Sequence, residues 1–136
     1  MPAPKTPLLT VDCVVFAKKK VLLIRRMNEP FKNQYALPGG FVDVGETVEQ
    51  ACSRETLEET GVKVSSLRLI GVYSDPKRDP RGHSVTIAFS GKAKSTKTKA
   101  SDDALSAEFI DWKKVKLGFD HKKIIKDALK IKLKRR

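Results

Sequence analysis

The sequence predicts an α+β fold, a mixed sheet covered by helices. Two observations carry that expectation. Apolar, β-branched segments of strand length are separated by polar turns. Two further segments carry the marks of helices, one in its caps and one in its apolar spacing. At 136 residues the chain suits one domain, expected to occupy 1–136, and can bury a core of its own.

The elements follow in order. "LLTVDCVVFA" (8–17) reads as a strand, "KKK" (18–20) as a polar turn, and "VLLIRR" (21–26) as the returning strand of a hairpin. Residues 27–36 read as a loop. "LPGGFVDVGE" (37–46) holds three glycines and a proline, too many for a helix and suited to tight turns. The clearest helix comes next, over about 48–60. Thr47 can cap it, Gln50 completes a capping box, and Gly61 fits the left-handed residue that ends a helix. "VKVSSLRLIGVY" (62–73) alternates as a strand does, and "SDPKRDPRG" (74–82) is a turn-rich loop. "HSVTIAFSGKA" (83–93) and "SAEFIDW" (106–112) read as strands flanking a polar, lysine-rich stretch (94–101). "DHKKIIKDALKIKL" (120–133) sets Ile124, Ile125, Ala128 and Leu129 at helical spacing, giving a terminal amphipathic helix.

Composition excludes several classes. No apolar run approaches the ~18 residues of a membrane span. "MPAPKTPLL" lacks the apolar core of a signal peptide. Cys13 and Cys52 lie in apolar segments without metal-type spacing and read as reduced core thiols. These features point to the cytoplasm and away from membranes. The formal net charge is +12. Lys122, Lys123, Lys126, Lys130, Lys132, Lys134, Arg135 and Arg136 crowd the end of the chain, and Lys92, Lys94, Lys97 and Lys99 form a second group. Both read as solvated faces and a solubilising tail; the sharper reading is attraction for an anionic substrate or for RNA.

Against that background one stretch is acidic. Residues 43–59 hold Asp43, Glu46, Glu49, Glu55, Glu58 and Glu59 against a single base, Arg54. On a helix, Val48, Ala51 and Cys52 form an apolar stripe that Glu55 and Glu59 continue, with Leu57 on the opposite face. Glu55, Glu58 and Glu59 are neighbours at i+3 and i+4, where each like-charge pair costs roughly 0.2–0.5 kcal/mol even when exposed. They also lie near the helix C-terminus, where the macrodipole disfavours negative charge. Arg54 relieves part of this, and a hard divalent cation relieves more, since carboxylate oxygens are what Mg²⁺ prefers. Two readings stay open on these grounds, a metal site and a surface acidic patch.

The segment "GGFVDVGETVEQACSRETLEETGV" resembles the Nudix box. Gly40, Glu46, Arg54, Glu55, Glu58, Glu59, Gly61 and Val62 match at the required spacing, and Thr56 stands where an aliphatic residue is usual. The resemblance implies an α/β/α sandwich and hydrolysis of a nucleoside diphosphate linked to another group. It implies that Glu55, Glu58, Glu59 and the Gly39 carbonyl hold Mg²⁺, with Mn²⁺ as a substitute, that Arg54 orients these glutamates, and that Glu46 supports them. The general base is either Glu55 or Glu58 within the box, or a later acid, Asp102, Asp103 or Glu108. A homodimer is also implied, since relatives of this kind are often dimers.

"YSDPKRDPRGHSV" (73–85) resembles the archaeal and bacterial ADP-ribose pyrophosphatase branch, in which a proline follows about fifteen residues after the box glycine; Pro76 stands there. That branch implies ADP-ribose plus water giving AMP and ribose 5-phosphate. Arg25, Arg26, Arg78 and Arg81 are candidates for phosphate or ribose contacts, and Phe31, Tyr35 and Tyr73 for stacking on adenine. A nucleoside triphosphate substrate is the first alternative. A non-catalytic nucleotide- or RNA-binding module is the second.

Overall fold

The computed structural model describes residues 2–134, so Arg135 and Arg136 of the expected basic tail lie outside the described residues. Seven strands form one mixed sheet: β1 (Leu8–Ala17), β2 (Lys20–Arg26), β3 (Tyr35–Ala36), β4 (Gly39–Phe41), β5 (Val64–Tyr73), β6 (Ser84–Ala93) and β7 (Ala104–Ile110). Its main path runs β3-β2-β1-β6-β5, with β4 on β1 and β7 on β2. β1 and β6 are parallel, and the remaining pairs are antiparallel.

Two helices cover the sheet, α1 (Val48–Thr60) and α2 (His121–Lys134). β1 explains why both faces need cover. Its residues 11–15 are all buried, and alternate side chains point to opposite faces. Val11, Cys13 and Val15 join Ala51 and Cys52 of α1 with Leu22, Val62 and Phe89. Val14 joins Ile124, Ile125 and Ala128 of α2 with Leu23, Tyr73, Ala88 and Trp112. The result is the expected α/β/α sandwich. Cys13 and Cys52 are free, buried thiols. Among the described residues no helix is long and apolar enough to cross a membrane.

Two short strands fall where turns and a loop were expected. β3 interrupts 27–36, and β4 lies inside the glycine turn. β4 pairs Gly40 with Val11 and Gly39 with Asp12. A Cβ on Gly39 would collide with the Val11 carbonyl and the Asp12 carboxylate. Here glycine marks close backbone approach within a sheet.

Asp12 is the one charged residue of β1 and is buried on the α2 face. His121, the first residue of α2, meets it at 3.2 Å through Nε2. The His121 Nδ1 accepts the Leu37 N–H at 2.9 Å, so the ring proton sits on Nε2 and points at Asp12. One imidazole thus ties α2 to both β1 and the glycine turn.

Arg78 anchors the loop after β5 in a similar way. Its side chain is 5% exposed. It forks onto Asp120 at 2.7 and 2.9 Å and donates to Thr86 at 2.7 Å and Ser84 at 3.0 Å. Removing one partner of such a pair leaves the other unpaired in a partly dry setting. Arg78→Ala is expected to cost about 2–4 kcal/mol in urea unfolding; a loss within error of zero would show that the fork contributes nothing to the fold.

Candidate active site

The site is built on α1 and on the turn that precedes it. Thr47 Oγ1 accepts the Gln50 N–H at 3.1 Å and Gln50 Oε1 accepts the Thr47 N–H at 2.9 Å, so the capping box fixes the helix start. Gly61 ends it with φ at +73°, and its N–H reaches the Leu57 carbonyl. Ala51, Cys52, Thr56 and Thr60 are the buried positions, and Leu57 is exposed. Thr56 belongs to the core: its hydroxyl donates to the Cys52 carbonyl at 2.8 Å, and its methyl fills the expected aliphatic position.

The acids divide as the stripe predicts, with one difference. Glu55 and Glu59 are half-buried, while Glu58 stands exposed at the rim. Arg54 binds most of the cluster. It donates to Glu46 at 2.6 and 2.9 Å, to Glu55 at 2.8 Å, to Glu58 at 3.2 Å and to the Phe41 carbonyl at 3.0 Å. Asp43 lies at 3.5 Å. The Glu46 and Glu55 hydrogen bonds push the guanidinium pKa above its ordinary value. Glu46 responds in the opposite direction. The Arg54 hydrogen bond, then the Asp43 N–H at 2.9 Å, hold it at about 2.

Glu59 has no such partner. Its Oε1 accepts the Gly39 N–H at 2.8 Å. Burial pushes its pKa from the ordinary 4.5 up to about 8, against that bond, with the charges of Glu55 and Asp12 adding to the rise. Burial also raises Glu55, whose carboxyl packs over Gly40. A Cβ on Gly40 would lie 2.5 Å from that carboxyl carbon, so the glycine makes room for it. Among the described residues, no three acidic, histidine or cysteine side chains converge as a ready metal cage. Arg54 instead takes Glu46, Glu55 and Glu58, and Glu59 turns to the backbone.

A cleft of about 200 Å³ opens beside α1. Gly39, Gly40 and Glu59 line it together with Arg26, Arg81 and Phe119. Asp12, Arg78, Asp79 and His121 line it too. The expected residues distribute unevenly. Arg26, Arg78 and Arg81 reach the cleft, but four of the five N–H donors of Arg78 are committed to the fold. Pro76 is exposed outside the cleft. Tyr35 is half-buried beneath Arg25, 6.0 Å from its ring centroid. Tyr73 is buried and donates to Asp127 at 2.7 Å. Asp102 and Asp103 sit exposed in the turn before β7, and Glu108 is exposed on β7, none of them lining the cleft. The sequence reading missed Asp12, His121 and Phe119. A lone acid inside an otherwise apolar strand was the available signal for Asp12.

The cleft thus takes Glu59 from the acidic helix and Gly39 and Gly40 from β4, on an α/β/α sandwich. The NUDIX domain model matches residues 6–128, and the chain belongs to the Nudix family. It is 51% identical over 127 residues to an ADP-ribose pyrophosphatase of Methanocaldococcus jannaschii, covering 93% of this chain and 75% of that protein. It is 35% identical over 133 residues to an ADPR-responsive transcriptional repressor of Acinetobacter baylyi, of whose length it spans only 53%. In structure it is similar to the NUDIX domain of Shewanella oneidensis NrtR complexed with ADP-ribose. That likeness has a TM-score of 0.84 and 32% identity, covering 93% of this chain and 88% of that one.

The raised pKa of Glu59 fixes the sign of a pH effect. A carboxyl whose folded value lies above its unfolded value contributes stability that is complete below about 4.5 and lost as pH rises through about 8. In EDTA, the melting temperature is expected to fall across that window, and to fall less in Glu59→Gln. Parallel pH profiles for the two proteins would refute the assignment.

Proposed function

We propose that this protein is a Mg²⁺-dependent hydrolase of the pyrophosphate bond in nucleoside diphosphate derivatives, with ADP-ribose as its substrate and AMP and ribose 5-phosphate as products. The observation that carries the class is the cleft that Glu59 of the acidic helix shares with the guanidinium groups of Arg26 and Arg81. The archaeal relative carries the choice of ADP-ribose. The chain spans 75% of that relative's length.

The donor set fits a hard divalent cation. It is all oxygen, and Gly40 lets the Glu55 carboxyl lie against the backbone next to Gly39, where a side chain would displace it. Glu59 and Glu55 are desolvated carboxyls whose raised pKa values a cation would reverse. Glu55, Glu58, Glu59 and the Gly39 carbonyl would hold Mg²⁺, or Mn²⁺ in its place. When bound, the ion neutralises phosphate charge and activates a water. The chain's own residues do the rest. Arg54 orients Glu55 and Glu58 through charge-assisted bonds, and Glu46 fixes Arg54. Arg26 and Arg81 bind the anionic substrate. Asp102, Asp103 and Glu108 stand away from the cleft, so the base falls to the box, with Glu55 the more enclosed candidate.

The resemblance to a repressor favours a second reading, a non-catalytic ADP-ribose sensor. The full set of box glutamates weighs against it.

Incubation with ADP-ribose, NADH, dNTPs and dinucleoside polyphosphates under Mg²⁺, following AMP release, tests the proposal. ADP-ribose is expected to be turned over fastest. Preferred turnover of dNTPs would move the substrate to triphosphates, and ADP-ribose binding without turnover would establish the sensor. Glu58→Gln adds a check on the acidic helix. It is expected to lower turnover by roughly two to three orders of magnitude, since several kcal/mol of charge stabilisation go with the ion. Stability in EDTA should stay within about 0.5 kcal/mol, because Glu58 is an exposed partner of Arg54.

A further inference from the structure

Two guanidinium groups share one aromatic ring in the cleft. The Arg26 guanidinium lies 5.0 Å from the Phe119 ring centroid, and that of Arg81 lies 5.6 Å away. Stacking of cations on a ring face offsets some of their mutual repulsion. The two remain a like-charge pair. Burial lowers the Arg26 pKa, and the Arg81 charge lowers it further.

The two arginines are not equally committed. Arg81 forks onto Asp79 at 3.1 and 2.9 Å. Arg26 donates its Nε–H to the Pro30 carbonyl at 2.7 Å and has no carboxylate ion-pair partner among the described residues. Its terminal N–H groups are therefore available to an anion, in the planar geometry that suits phosphate oxygens.

The ring itself is held by unusual backbone. Phe119 has φ at +54°, and Phe31, which packs edge-on against it at 4.7 Å between centroids, has φ at +62°. Bulky side chains rarely adopt the left-handed region, and such residues concentrate where a ligand is gripped. Gly118 permits the pairing, since a Cβ there would lie 3.0 Å from Phe31. Phe119 also lies against the His121 ring, at 5.2 Å, so it is fixed from two sides.

We propose that Arg26 and Arg81, seated on Phe119, form the subsite for the phosphate of a diphosphate that lies away from the acidic helix. Phe119 is then a positioning residue for the two guanidinium groups, and not a platform for the base. This rests on the diphosphate reading above and adds to it which residues take the second phosphate. Glu59 of α1 and the two arginines line a single cleft, so one diphosphate reaches from the helix to the arginine pair. A cation held by Glu55, Glu58 and Glu59 would relieve the acidic side, and the second phosphate would relieve the arginine pair.

The test uses inorganic pyrophosphate as the probe, titrated by calorimetry in EDTA, where no turnover occurs. The wild type is expected to bind at millimolar concentration. Arg26→Gln should weaken binding about tenfold, and Arg26→Lys, which keeps the charge and loses the fork, by a few-fold. Phe119→Leu should weaken it about threefold, and Phe119→Tyr should retain it. Arg68→Gln, an exposed arginine on β5, should change nothing. In turnover, Phe119→Leu should raise KM with kcat nearly kept.

Absence of pyrophosphate binding by the wild type overturns the subsite. So does wild-type affinity in Arg26→Gln, or equal losses in Phe119→Leu and Phe119→Tyr. Arginine-dependent binding without hydrolysis of ADP-ribose keeps the subsite and refutes the hydrolase reading. Hydrolysis with unchanged KM in Arg26→Gln does the reverse.

Discussion

The fork of Arg54 is the interaction on which the site depends. A basic chain gathers six acids over residues 43–59, and one guanidinium organises four of them. The same group reaches the Phe41 carbonyl, so it also ties α1 to the end of β4. Helix, glycine strand and carboxylates are thereby held as one unit. Placing like-charged carboxylates together near the C-terminal end of a helix normally weakens the helix. Arg54 compensates from within the helix, and the capping box and Gly61 secure the two ends. Among the described residues Glu49 and Glu59 are left without an arginine, and Glu59 is the one desolvated against β4. Burial and a single backbone N–H define its state, which makes it the most sensitive carboxyl of the cluster.

Much of this was legible in the sequence because it depends on local rules. Thr47, Gln50 and Gly61 fix α1 through contacts within a few residues, and its observed span agrees with the reading. β1 and α2 likewise follow from apolar pattern alone. β3 and β4 were not legible. Two- and three-residue strands carry no periodicity, and Gly39 and Gly40 look like turn residues until β1 is seen to approach them. The site divides in the same way. Helical geometry sets Glu55 and Glu59 inward, but it cannot say that Glu58 ends at the rim or that Arg54 takes three glutamates at once. Asp12 and His121 meet across the sandwich, and no short window of sequence contains both. Arg78 shows the converse difficulty. An arginine in a proline-rich loop reads equally as a substrate contact or a surface residue, and its fork onto Asp120 is neither.

Two like-charge pairs lie in and beside the cleft. On α1, Glu55 and Glu59 are desolvated next to one another, and Glu59 reaches the cleft. Inside the cleft, Arg26 and Arg81 crowd one ring. Each arrangement is costly alone, and each is held by rigid backbone: β4 on one side, and the Phe31–Phe119 pair on the other. A ligand that brings a cation to the first and an anion to the second gains from both. Preorganised charge of this kind requires no rearrangement at the moment of binding.

The His121 link has a consequence for how the protein comes into being. The ring that fixes Asp12 and Leu37 belongs to a residue 84 positions after Leu37, and Phe119 is its near neighbour. During synthesis the entire signature segment leaves the ribosome well before the residues that finish the cleft. A nascent chain that has not yet reached Gly118 would carry every motif glutamate with Arg26 and Arg81, yet lack the ring those arginines share and the imidazole that joins Asp12 to Leu37. The cleft is therefore completed only when the start of the last helix is in place.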